Sequence, residues 1–281
     1  MAKKLKKASK KELNALKPYL DEWVNRTEVP QYIDEDPVQF MHAYNDKEDR
    51  LLAGFFAALM AWGRRDIVIN KVNELLKRMN HRPADFIRNF SESDADRFEG
   101  FKHRTFKPVD IYWLTKILSS IEKEYKGFER FWSHCHKLAA EESRELISVF
   151  HDEFFEMHPE AAQRTRKHIS DADKNSSCKR LYLFLKWSIR KGSPVDVGIM
   201  NFMPASELMI PLDVHVGRQA RILGLLERTY NDWKAVKELT GKLRFLEPSD
   251  PTKYDYALFG IGLAKTSIPP KFIKNPEFLS S

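Results

Sequence analysis

Met209-Ile210-Pro211-Leu212-Asp213-Val214-His215-Val216-Gly217-Arg218-Gln219-Ala220-Arg221 is the stretch on which the reading of this chain turns. An apolar approach ends in a single carboxylate, and helical spacing begins directly after it. Read structurally, Asp213 is an N-cap, whose side chain accepts from the free amides of a helix's first turn. Read chemically, it is a carboxylate among Ile210, Pro211, Leu212, Val214 and Val216. Such a carboxylate is partly withdrawn from water, the setting in which an aspartate acts as a base or steadies a developing cation.

Outward from this stretch the chain reads as helix after helix, without long alternating strand patterns, glycine-rich phosphate loops or internal repeats. Leu13, Leu16, Leu20 and Trp23 share a helical face over 11–25. Residues 28–47 read as an acidic, proline-marked loop with a short helix. The run 51–61 is apolar all round, which predicts a helix buried on every side. Asp66 is the expected cap of the next helix, with Val68, Val72, Leu75, Leu76 and Met79 on one face. Further helices are expected over 83–90, 108–125, 128–139, 141–157, 178–191, 213–225, 231–246 and 251–263. A short one is expected over 195–202, inside the connector 192–211. Residues 91–96 read as a turn and 158–177 as an exposed loop or hairpin. The proline-marked tail from Ile268 reads as a wrapped or loose extension.

Two other segments carry chemistry-bearing residues. The buried helix delivers Trp62-Gly63-Arg64-Arg65 to the surface, followed by a helix start suited to a phosphate. Tandem arginines beside a tryptophan grip a backbone and stack on a base. Taken alone, a core tryptophan with two solvated arginines explains the same letters. Asn175-Ser176-Ser177-Cys178-Lys179-Arg180-Leu181 opens another helix, with Ser176 or Ser177 as the expected cap. Lys179 then falls in the first turn, a poor place for a cation on dipole grounds. An amine held there beside a second cation is primed as a nucleophile, although an isolated lysine of this kind is usually ordinary. His134 and His136 point to opposite sides of a helix, so no shared metal ion is expected from them, and no metal or cofactor is expected elsewhere.

Composition sets the frame. The chain has 281 residues, 42% of them hydrophobic, including 19 Phe and 6 Trp, enough for a substantial core. Lys and Arg outnumber Asp and Glu by 47 to 40, a net charge of +7, which attracts polyanions. Two cysteines exclude a disulfide framework and a four-cysteine metal site, and they fit a reducing cytoplasm. The longest apolar run, Leu51 to Trp62, falls short of a membrane span. The lysine-rich start from Lys3 to Lys11 has no apolar core or cleavage site, so it is not expected to be a secretory signal.

Together and in this order, the segments resemble the helix-hairpin-helix DNA glycosylase superfamily, which includes endonuclease III and the adenine glycosylase acting opposite oxidised guanine. The superfamily carries an early buried helix followed by T-D-x-x-V-N-K, and Asp66, Asn70 and Lys71 fall at matching places. Ala61 to Arg65 occupies the stretch of its base-wedging residue. Its catalytic stretch reads V-D-T-H-V-x-R-V-x-x-R-L-G-L. The run Leu212 to Arg218, continued by Arg221 to Leu225, matches it almost throughout. The run Asp255 to Gly262 resembles a late helix ending D-x-A-L-x-D-L-G. The resemblance spans about 48–264. The chain also resembles a bacterial family known as domain of unknown function 2400, through Cys178 to Leu181 and Pro211 to His215.

The sequence departs from the superfamily in two places. The hairpin glycines that present amides to a phosphate are missing around Asp171 to Lys179. No cysteine follows Cys178, so the iron–sulfur cluster is absent. The spacing from Lys179 to Asp213 is longer than in most members and closer to that of archaeal oxoguanine glycosylases, which also have a degenerate hairpin.

The resemblance implies an all-α, two-lobed helical bundle over 1–281, with one lobe over about 48–170 and the other over about 171–264 plus 1–47. It implies a DNA repair glycosylase with lyase activity, excising a damaged base, with oxidised purines among the implied substrates. Lys179 and Asp213 would be catalytic. Trp62, Gly63, Arg64, Arg65, Asn175, Ser176, Ser177, Arg180, His215 and Arg218 would meet DNA. The implied partner is damaged double-stranded DNA, bound by a cytoplasmic, nucleoid-associated monomer. Two alternatives stand beside this: a non-catalytic DNA- or RNA-binding protein on the same scaffold, and a protein-interaction module with a vestigial site.

Overall fold

The computed structural model describes residues 5–264 and 267–279. Among these the protein is all-helical, with isolated bridges at His103–Phe106 and Ser176–Asp232 in place of strands. The first half contains α1 (Lys10–Thr27), α2 (Gln39–His42), α3 (Lys47–Met60), α4 (Arg65–Arg78), α5 (Pro83–Arg88) and α6 (Pro108–Tyr125). The second contains α7 (Phe128–Glu142), α8 (Leu146–Glu156), α9 (Lys179–Ile189), α10 (Val214–Ile222), α11 (Trp233–Leu246) and α12 (Tyr254–Leu263). No helix is long and apolar enough to cross a membrane, among the described residues. Lys3 and Lys4 of the basic start lie outside them.

Helix α3 is the axis of the fold. Every residue from Leu51 to Met60 is buried, as its unbroken apolar character predicts. At its N-terminus the Asp46 carboxylate accepts from the amides of Glu48 (2.9 Å) and Asp49 (3.1 Å). The far end is buried through Met60, so its last carbonyls must be bonded from within the protein. The Arg180 guanidinium donates to the Leu59 carbonyl at 2.6 Å, and the His103 ring lies 3.0 Å from the Met60 carbonyl. The Arg180 cation at the helix C-terminus also suits its dipole. Around this axis α3 packs on α9, α2, α4 and α5, α7 packs on α8, and α12 packs on α1 and α10.

Several boundaries differ from the sequence reading, each for a local reason. Helix α4 starts one residue before Asp66, with Arg64 at the cap position, and the Asp66 carboxylate takes the Arg64 guanidinium at 2.7 Å. Neither Ser176 nor Ser177 is the cap residue of α9. That position is Cys178, in the left-handed region at φ 52°, and the Ser176 hydroxyl accepts from its amide at 3.3 Å. Residues 195–202 are not helical: the Val197 amide bonds the Trp187 carbonyl (2.7 Å) and the Met200 amide the Ser188 carbonyl (2.7 Å), an irregular strip along the end of α9. The segment 158–177 is only partly exposed, because Thr165, His168, Ile169 and Ala172 are buried within it and 163–168 forms a 3₁₀ turn. Residues 92–98, read as a turn at their start, form another. The tail wraps. Asn275 is buried, bonding the Lys6 amide (2.8 Å) and the Lys6 and Arg221 carbonyls (2.9 and 2.8 Å).

The start of α3 also places Glu48 against the buried Glu122 of α6. Burial first, and the Glu48 carboxylate second, push the Glu122 carboxyl up from 4.5 to about 7. A carboxyl raised in the folded state stabilises it most below the unfolded value, and that stability drains away as pH rises through the folded value. Glu122→Gln is therefore expected to melt higher than the parent at pH 8, by the equivalent of about 2 kcal/mol. The advantage should vanish at pH 4.5. A pH series of thermal melts checks this, and a difference that does not vary with pH contradicts it.

Candidate functional site

Asp213 is the N-cap of α10, as its position before the helical run predicts. Its Oδ1 accepts from the Val216 amide at 2.8 Å. Its Oδ2 is left to face the Lys179 ammonium, with Nζ 3.2 Å away. The backbone of Asp213 is fixed as firmly as the side chain. Asn231 donates to its carbonyl at 2.8 Å and accepts from Arg221 at 2.7 Å, and the Arg221 Nε–H bonds the Arg228 carbonyl at 2.8 Å. Gly217 lets Asn231 and Arg221 approach, because a Cβ there would lie 2.5 Å from the Asn231 Oδ1.

Lys179 comes from the first turn of α9, where the Arg180 bond to α3 holds the helix start in place. Lys179 and Leu183, one turn apart, line one cavity, and Lys186 lies beneath it two turns along. Beside the lysine, the Cys178 thiol is buried and pushed up to about 12, so it is not a nucleophile at neutral pH.

The lysine and the aspartate share a cavity of about 880 Å³. The Trp62-Gly63-Arg64-Arg65 loop, Ser177, Asp213 and His215 all contribute to its wall, so the three segments singled out in the sequence meet there. Exposed apolar side chains stand along its rim: Trp62 is 36% exposed, Val214 74% and Leu263 58%. Gly63, at φ +101°, turns the chain where Arg104 reaches across, and a Cβ there would meet the Arg104 guanidinium at 2.1 Å. Arg104 lies over the Trp62 ring at 5.5 Å. Trp62 also borders a second, smaller cleft of about 360 Å³ that shares Lys179 and is edged by Ser176, Ser177, Arg180 and Lys167.

Asn175, Arg180 and Arg218 do not line the larger cavity. Asn175 donates to Asp232 at 3.0 Å and lines neither depression. Arg180 is spent on the Leu59 carbonyl, and burial pushes its guanidinium down to about 10, still cationic at neutral pH. Arg218 donates to the tail carbonyls of Phe278 and Leu279, both at 2.8 Å. His134 and His136 face Glu153 (3.1 Å) and Glu207 (2.8 Å), on separate neighbours.

The residue run 36–264 matches the family model described as protein of unknown function DUF2400. The chain belongs to the DUF2400 family. No curated protein and no solved structure matches it. The site of this DUF2400 member contains residues that the sequence reading missed: Tyr32 and Asp36 from the acidic loop, Arg104, Asn231, and Asp255 with Phe259 from α12. Beneath Asp255 lies a buried charge network. Lys186, 2% exposed, holds Asp255 at 2.6 Å, and Arg190 holds Glu28, Asp196 and Asp250. Opposite charges fill the space under the cavity, and each is paired.

Gly217→Ala forces Asn231 or Arg221 to move and so loosens the backbone of Asp213. It is expected to cost about 1–3 kcal/mol, read as a lowered midpoint in urea unfolding. A variant as stable as the parent would show that this neighbourhood yields freely.

Proposed function

We propose that this protein is a DNA glycosylase that releases a damaged base and then opens the strand through a covalent lysine adduct. The observation that carries the reading is the Lys179–Asp213 pair, amine and carboxylate 3.2 Å apart on the wall of one open cavity. The likeness of the Leu212 to Leu225 run and of the buried α3 segment to helix-hairpin-helix glycosylases supports it.

The chemistry follows from the two groups. The target nucleotide must leave the stack to reach them. Trp62, with Arg104 stacked on it, is the side chain suited to fill the vacated gap, and Arg64 at the rim faces the phosphates. Lys179 loses a proton to solvent in the open cavity and attacks C1′ with its free electron pair. The glycosidic bond breaks, and the base departs with the bonding pair and takes up a proton from solvent. While that bond lengthens, positive charge grows on the sugar, and the fixed carboxylate opposes it without reorganising. Ring opening gives a protonated Schiff base. Loss of a C2′ proton then expels the 3′ phosphate.

A non-catalytic nucleic-acid binder is the second reading. One observation favours it: the segment leading into α9 has no glycine, and its Arg180 serves the interior of the fold. Borohydride trapping on oligonucleotides bearing oxidised, alkylated and deaminated bases separates the two. The glycosylase reading expects a covalent protein–DNA adduct that Lys179→Ala abolishes. It also expects Asp213→Asn, which keeps an acceptor for Val216, to slow base release by about a hundredfold or more. Salt-sensitive DNA affinity with no release from any lesion establishes the binder instead.

A further inference from the structure

One part of the cavity wall is already occupied by the chain itself. The Arg65 guanidinium lies 4.7 Å from the centre of the Phe259 ring and 5.1 Å from that of Tyr32, two rings set at 87° to each other. Its Nη2 donates to the Tyr32 hydroxyl at 2.9 Å and lies 3.5 Å from the Asp36 Oδ2. A guanidinium is a planar, delocalised cation edged with N–H donors. The slot is thus shown filled by a group of one definite chemical kind.

Asp36 makes that kind matter. It is 7% exposed, and one of its oxygens is committed to the Val38 amide at 3.1 Å. Burial acts to raise its pKa, and the Arg65 charge opposes that. The nearby carboxylate of Asp255 is already matched by Lys186, and the Lys179 charge by Asp213. Arg65 is therefore the cation paired directly with Asp36, and the Lys186 charge and the Tyr32 hydroxyl add to it. A ligand that takes the aromatic slot displaces Arg65. A neutral ligand leaves a buried carboxylate without its counter-ion, which is costly, whereas a planar cation restores the balance and can lie over one of the two perpendicular rings.

We infer that the Tyr32–Phe259 slot binds a cationic heteroaromatic ring bearing N–H donors, with Arg65 as its displaceable occupant and Asp36 as the group that selects it. Taken with the proposed function, on which this further step rests, the favoured lesion is a base made positive by alkylation, in preference to a deaminated or carbonyl-rich base.

Free nucleosides test this without any base release. N1-methyladenosine is a cation at neutral pH, adenosine is its neutral counterpart, and uridine presents mostly carbonyls. Calorimetric titration of the full chain is expected to rank N1-methyladenosine about tenfold tighter than adenosine or uridine. Arg65→Ala, which empties the slot, should tighten N1-methyladenosine further, by about fivefold. Asp36→Asn keeps an acceptor for the Val38 amide and should erase the preference. Equal affinity for the three nucleosides, or no gain in Arg65→Ala, overturns the inference. If Asp36→Asn fails to fold, the Arg65→Ala titration decides alone. Failed borohydride trapping with nucleoside selectivity intact removes the glycosylase reading only. Successful trapping without selectivity removes this inference only.

Discussion

The structure depends on how the C-terminal end of α3 is satisfied. A helix with ten consecutive buried residues gains from burial all round its circumference, but its last carbonyls go into the interior with it. Left unbonded, each would cost about 1–3 kcal/mol. Arg180 reaches the Leu59 carbonyl from the first turn of α9 and His103 reaches the Met60 carbonyl from a tight bridge. The bond from Arg180 does more than stabilise. It pins the start of α9 next to the loop that leaves α3, so the neighbouring residue, Lys179, shares a cavity with Trp62, Gly63 and Arg65.

From there the site is assembled by backbone restraint. Asp213 is held through its carbonyl by Asn231 and through one carboxylate oxygen by the amide of Val216, which leaves the second oxygen to Lys179. Asn231 is itself held by Arg221 from the following turns of α10. The carboxylate has little freedom to turn away, the kind of preorganisation that electrostatic catalysis requires.

Much of this is legible in the sequence where the signal is local. The all-round apolar run of α3, the Asp213 cap and the first-turn position of Lys179 follow from periodicity and capping within a few residues. Meeting in one cavity was an expectation from a pattern of three separated segments, and the folded chain brings them together. Reading failed where the deciding partner is distant. Arg180 and Arg218 look like free cations in sequence, yet their acceptors are carbonyls 121 and 60 residues away. Tyr32 and Asp36 sit in a stretch with no periodicity, and only packing against α4 and α12 gives them a place in the wall. The non-helical strip after α9 was misread because its bonds go back to Trp187 and Ser188 and not along the segment itself.

The wrapped tail links distant parts of the chain. Helix α10 carries Asp213 at its start, while its middle and end are strapped by Arg218 to the Phe278 and Leu279 carbonyls and by the Ile222 carbonyl to the Lys274 amide, at 2.7 Å. During synthesis these straps emerge from the ribosome long after the helix they fasten. A nascent chain that already contains both the lysine and the aspartate still lacks the brace beneath one of them. The bonds that fasten α10 through Arg218 and Ile222 can form only once residues 274–279 have been released and have folded back.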